Sequence, residues 1–173
     1  RGFITQSGDK VKDDSGKDLL EWFALKYYAE ILVLDAADEG EYEFSSISDD
    51  GHIFEAQING VWTRILDEDG LHAPRWGCSN KTIKLVKDKP LPIRVYYYQG
   101  PASHIANMFH WRKVSAAIPP GTDPSCGKEA STAFNLTTSV PNKAYKDFVA
   151  RGWEVVPAEM FYLPGTAVNP CVE

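Results

Sequence analysis

From residue 27 onward the chain is written in short alternating runs broken by turn residues at intervals of about 8–15 positions. Successive strand side chains point to opposite faces, so each run has one apolar face that needs a second layer to cover it. Glu41-Tyr42-Glu43-Phe44-Ser45 alternates strictly, with Tyr42 and Phe44 on one face and both glutamates on a wet face. Tyr28 to Leu34, His52 to Ile58, Val61 to Ile65, Lys81 to Lys87, Pro92 to Tyr98 and His104 to Arg112 read as further strands. Within Pro92 to Tyr98, the side chains of Ile93, Val95 and Tyr97 oppose those of Arg94, Tyr96 and Tyr98. Asn59-Gly60 closes a hairpin, because both residues tolerate the positive φ of a two-residue type I′ turn. The pattern predicts an all-β antiparallel sandwich.

The pattern stops at both ends. The first 20 residues are polar and rich in Gly, Asp and Lys, a lead-in to the sandwich. Asp67 to Asn80 reads as a long loop holding His72, Trp76 and Cys78. Asp67-Glu68-Asp69-Gly70 within it is a turn rather than an EF-hand, since no Glu comes at the required spacing. After Val114, Ile118 to Pro124 is a Pro/Gly linker. Ala144, Tyr145, Phe148 and Val149 then repeat as a short amphipathic helix, with Asn142 as N-cap and Gly152 at its stop. The expected organisation is a sandwich with its lead-in over 1–118 and an accessory segment with one short helix over 119–173, a small α/β appendage. A length of 173 residues suits this single domain with an appendage.

Three cysteines allow one bridge. Joining Cys126 to Cys171 would tie down the tail, with Cys78 as a competitor for either. Asn80-Lys81-Thr82 and Asn135-Leu136-Thr137 fit the glycosylation acceptor pattern, which is short and has no meaning in a bacterial chain. A start at Arg1 without Met reads as a fragment of something longer. No apolar run approaches the ~20 residues of a membrane-spanning helix.

Net charge is −6, and its distribution is uneven: residues 1–80 carry 7 basic against 17 acidic groups, residues 81–173 carry 11 against 7. Between Lys26 and Arg64 there are nine acids and no base. Such a segment repels nucleic acid and anionic membranes; it reads either as a solvated acidic face or as suited to a cation. Glu41 and Glu43 are assigned to a wet strand face, and Asp35, Asp38 and Glu39 to a turn. Asp49-Asp50, preceded by Ser45, Ser46 and Ser48 and succeeded by Gly51, reads as a turn by its local pattern; joined by a cis peptide, its carboxylates would instead lie on one side and chelate a hard cation. The four histidines sit in no hydrolase signature, and His110 on its strand reads as structural. A non-catalytic module is expected.

The ordered set Glu21-Trp22-Phe23 through Leu32, Glu39-Gly40-Glu41-Tyr42-Glu43-Phe44, Ser46-Ile47-Ser48-Asp49-Asp50-Gly51, Ile58-Asn59-Gly60, Pro92 through Gly100 and His110-Trp111 resembles the protective-antigen-type domain, also called the PA fourteen domain. The match spans roughly residues 21–114. The resemblance implies a β-sandwich used as a carbohydrate-binding module in toxins, adhesins, glycosidases and flocculation lectins, where an Asp-Asp pair joined by a cis peptide holds calcium and sugar hydroxyls complete the coordination. The matching positions are Asp49 and Asp50, with further ligands implied at Gln99 and the Gly100 carbonyl. Trp76 and His104 are expected as pocket walls, chosen by loop position.

The resulting expectation is a calcium-assisted glycan-binding module of a secreted or cell-surface, adhesin-like bacterial protein, with glycans or glycoconjugates as partners and any homo-oligomer formed through neighbouring domains. After Gly100 the chain runs Pro101-Ala102-Ser103-His104, where lectin members often carry a longer calcium loop. That departure supports the alternative, a structural or interaction module of a surface fibre without calcium.

Overall fold

The alternating runs become two antiparallel sheets packed face to face. The computed structural model describes residues 7–101, 104–116, 119–135, 137–138 and 140–166. In chain order the strands are β1 (Phe23–Ile31), β2 (Gly40–Asp49), β3 (His52–Ile58), β4 (Val61–Glu68), β5 (Arg75–Cys78), β6 (Ile83–Leu85), β7 (Leu91–Gln99), β8 (Ala106–Lys113), β9 (Glu154–Val155) and β10 (Phe161–Tyr162), with helix α1 (Lys143–Ala150) before β9. Sheet one is ordered β10-β1-β7-β3-β4; sheet two is ordered β5-β2-β8-β9, with β6 also paired to β2. The predicted hairpin is present, with Asn59 at φ 51° and Gly60 at φ 78°.

Side chains of one parity on most strands meet between the sheets, and on β4 a register shift against Phe54 and Glu55 lets the consecutive Ile65 and Leu66 both be buried there. Phe44, Phe54, Ile65, Leu66, Ile93, Val95 and Trp111 form the centre of this core, and Phe109 packs against it. The Phe54 ring lies 4.9 Å from Phe44 and 4.8 Å from Phe109. Each such buried aromatic or aliphatic side chain contributes roughly 1.5–3 kcal/mol relative to exposure.

Sheet two is covered on its other face as well. Residues after 119 fold over it, and Ile47, Trp76, Ala130 and Ala133 form a second apolar cluster with Met108, Phe134 and Tyr145 packed against it. Trp76 stacks on Phe148 at 5.2 Å, and Phe148 on Trp153 at 5.0 Å. The wet face expected for Glu43 is therefore absent: Glu43 is fully buried and accepts hydrogen bonds from Arg112 Nε at 2.5 Å and Gly121 N at 2.9 Å. Arg112 also reaches Asp123 at 3.3 Å, and Asp123 accepts two further bonds from Arg151, at 2.8 and 3.0 Å. The same segment then pairs β9 with β8 and β10 with the end of β1.

Three further expectations need correction. The 67–80 loop contains strand: β4 runs on through Glu68, and β5 pairs Trp76 with Ile47 of β2, a four-residue element too short for periodicity to announce. β1 begins at Phe23 rather than Tyr28, since its pairing with β7 covers nine residues from Phe23↔Gln99 to Ile31↔Leu91. The bridge joins Cys78 to Cys126. The C-terminal segment crosses β5 at that point, where Trp76 N donates to Lys128 O and Gly127 N to Trp76 O, so Cys126 is brought to Cys78; Cys171 lies outside the described residues.

Candidate functional site

At one end of the sandwich, three connections converge: the β2–β3 turn with Asp49-Asp50-Gly51, the β4–β5 loop with Asp69 to Ala73, and the β7–β8 loop beginning at Gly100. The Asp49–Asp50 peptide bond is cis. Both residues are buried, at 3% and 4% exposure. Asp50 holds the loops together. Its Oδ1 accepts from His72 N at 2.9 Å and its Oδ2 from Gly100 N at 2.7 Å. A Cβ at position 100 would overlap Leu71 Cδ2 and stand 3.0 Å from that same Oδ2, so glycine leaves the room in which the loops approach.

Asp49 is placed differently. Among the described residues its carboxylate accepts no hydrogen bond, and the imidazole of His104, part-exposed, lies with Nδ1 4.0 Å from Oδ2. Burial first, and then the neighbouring charge of Asp50, push the Asp49 carboxyl above its usual range. No Lys or Arg pairs with either aspartate among the described residues.

Beneath the pair lies a buried polar layer. The Tyr97 hydroxyl is 2.6 Å from the Asp49 carbonyl and 2.5 Å from Gln99 Oε1, one proton between two acceptors. Burial, then the charges of Asp49 and Asp50, hold that hydroxyl far above its ordinary pKa. Gln99 is fully buried, and its Nε2 donates to the carbonyls of Pro101 and His104 at 3.1 and 3.0 Å. The Gly100 carbonyl accepts from Trp22 N at 3.1 Å.

Of the residues expected at the site, Asp49, Asp50, Gln99, Gly100 and His104 are brought to this one end. Gln99 points its amide at the loop it anchors. Trp76 is elsewhere: 2% exposed and stacked on Phe148 beneath the C-terminal segment, it has no ring face open to a ligand, so its expected role as a pocket wall is withdrawn. Its apolar bulk was needed by the second cluster. His72 was missed because it contributes a backbone N–H, for which no side-chain type is a signal. Tyr97 was legible as inward-facing in the alternation, but not its contact with the Asp49 carbonyl.

The arrangement fits a hard cation in part. The Asp49 carboxylate is free to ligate, and each Asp50 oxygen has a lone pair beyond its N–H bond. Among the described residues no group of three His, Cys, Asp or Glu side chains is placed to hold a metal, so the remaining oxygens of a 6–8-fold shell would come from carbonyls, water or ligand hydroxyls. No helix among the described residues is long and apolar enough to cross a membrane. Compared with known proteins, the chain matches no family model, no curated protein and no solved structure.

Proposed function

We propose that this chain is a glycan-binding module of a secreted or cell-surface, adhesin-like protein, of the protective-antigen type, which holds a calcium ion on Asp49 and Asp50. The observation that carries the reading is a pair of adjacent, buried carboxylates with no Lys or Arg paired to either among the described residues. Two such charges side by side are unfavourable unless protonated or met by a cation. Bound calcium supplies a site that two vicinal sugar hydroxyls can ligate together. The chain's own residues shape that site. Asp50 fixes the loops through His72 N and Gly100 N, Gln99 tethers Pro101 and His104 by their carbonyls, and His104 stands at the solvent side as a hydrogen-bonding wall. The Cys78–Cys126 bridge is in keeping with an oxidising, extracellular setting.

Thermal melting with calcium and with EDTA, together with a glycan array, tests this on the wild type and on Asp49→Ala. Calcium is expected to raise the wild-type Tm, by an amount equivalent to about 2.7 kcal/mol at about 100 times Kd, and to leave Asp49→Ala unmoved. Equal melting in both buffers with no glycan bound overturns the reading. A second reading, a module without calcium, is favoured by one observation: Asp50 already acts as a clasp between two loops. In that case Asp50→Ala loses stability while calcium changes nothing.

A further inference from the structure

Immediately beside the aspartate pair, on the outer face of sheet one, lies a cleft of about 180 Å³, on the scale of one pyranose ring. It opens at Gly51, the residue after Asp50. Its walls are Tyr96 and Tyr98 of β7 and Lys26 of β1, its floor Ala24 and Ile53, and its far rim Asp69. The register puts these on one face, with Lys26 opposite Tyr96, Ala24 opposite Tyr98, and Ile53 opposite Tyr96 on the other side.

Tyr98 belongs to both places. Its ring backs Gly51, whose Cβ would stand 3.4 Å from Tyr98 Cδ1, and its hydroxyl would be 3.2 Å from a Cβ at Gly100, the residue that binds Asp50. That hydroxyl makes no hydrogen bond among the described residues. Lys26 sits over the rings of Tyr28 and Tyr96, at 4.8 and 5.0 Å, and pairs with no carboxylate among the described residues. Asp69 is exposed, and among the described residues only its Oδ1 is engaged, by Gly70 N at 2.8 Å.

We infer that this cleft is a second sugar subsite, which takes the neutral residue next to the one held at Asp49 and Asp50, so that the module recognises a glycan chain rather than a single terminal sugar. The inference rests on the glycan reading above. A pyranose has an apolar C–H face and a rim of hydroxyls that both donate and accept. The cleft offers the complement: an apolar floor between tyrosine rings, a free hydroxyl, one ammonium and one carboxylate. One positive and one negative group at the rim leave no net charge to favour a uronate, a sulfate or a phosphate.

The test measures binding by titration calorimetry in calcium buffer, for an oligosaccharide selected on the glycan array and for the methyl glycoside of its terminal sugar. Wild type, Lys26→Met, Tyr98→Phe and Asp49→Ala are compared. The wild type is expected to bind the oligosaccharide about tenfold tighter than the methyl glycoside. In Lys26→Met and Tyr98→Phe that ratio should fall toward one, while Asp49→Ala should lose both ligands. A wild-type ratio near one, or a ratio that neither Lys26→Met nor Tyr98→Phe lowers, overturns the subsite and leaves the aspartate site standing. Binding of no glycan by the wild type overturns both. A ligand recovered as a peptide instead, bound equally by Asp49→Ala, also overturns the subsite.

Discussion

His110 is fully buried under the C-terminal segment, with Nε2 3.2 Å from the Tyr145 hydroxyl of α1, and with Ser45 of β2 and Val155 of β9 as its cross-strand neighbours. No carboxylate pairs with it among the described residues. Burial lowers its pKa from 6.5 to about 4, so the folded protein keeps it neutral where the unfolded chain binds a proton. The stability contributed by the neutral form is complete above about pH 6.5 and is lost as pH falls toward about 4, by at most about 1.4 kcal/mol per pH unit. Denaturant melts at about pH 7 and about pH 5 should show His110→Gln losing less stability across that window than the wild type. An equal loss in both would remove His110 as the cause. At the same scale, Asp49 and Asp50 show that identical side chains next to each other take different parts: Asp50 is held by two backbone donors, Asp49 by none.

The element that changes most between pattern and fold is β2. Its alternation was correct, but alternation reports only that two faces differ, not that one is wet. Glu43, Arg112 and Asp123 form a buried chain between β2, β8 and the residues after 119, completed by Arg151 and by Trp153 Nε1 at 2.9 Å from Asp123. Burial opposes the Asp123 charge, but hydrogen bonds from Arg151, Ser125 N and Trp153, with the Arg151 charge, hold its carboxyl below the usual range. Removing Asp123 strips the carboxylate acceptor from Arg112 Nη1 and Trp153 Nε1, both buried, and leaves Arg112 with Glu43 alone as a carboxylate partner among the described residues, so Asp123→Ala should cost about 3–5 kcal/mol in urea unfolding. That is a large share of the roughly 5–15 kcal/mol of a typical domain. A loss under about 1 kcal/mol would mean the network is solvated rather than buried.

Over the whole molecule, the C-terminal segment acts as a third layer and as edge cover. It buries the outer face of sheet two, adds β9 beside β8 and β10 beside β1, and is joined to β5 by the Cys78–Cys126 bridge, which links positions 48 residues apart. The paired change Cys78→Ser with Cys126→Ser should lower stability by about 2–4 kcal/mol, an effect reproduced by reducing the wild type. Unchanged melting after reduction would show that the packing of Trp76, Phe148 and Trp153 alone holds the layer. The expected separation at residue 118 is thus a boundary in composition more than in packing, because the outer sides of Ile47 and Trp76 are covered by Ala130, Ala133 and Phe148 of the C-terminal segment.

The strands with strict alternation, the Asn59-Gly60 turn and the helix over residues 143–150 were legible because each is encoded by local side-chain direction or by backbone φ. The aspartate pair was legible only through the ordered resemblance around it, since Asp38-Glu39-Gly40 and Glu68-Asp69-Gly70 carry the same local pattern of adjacent carboxylates before glycine. Burial of Glu43, the withdrawal of Trp76 into the core, the choice of Cys78 as partner to Cys126 and the cleft between Lys26 and Tyr98 were not. Each depends on which distant segment lies across a face, and a period-two pattern holds no information about the layer that covers it. The amino-acid sequence by itself determined the strands and the charge pair; only the tertiary structure decided which polar groups face protein and which face water, because that free energy belongs to contacts between residues far apart in the chain.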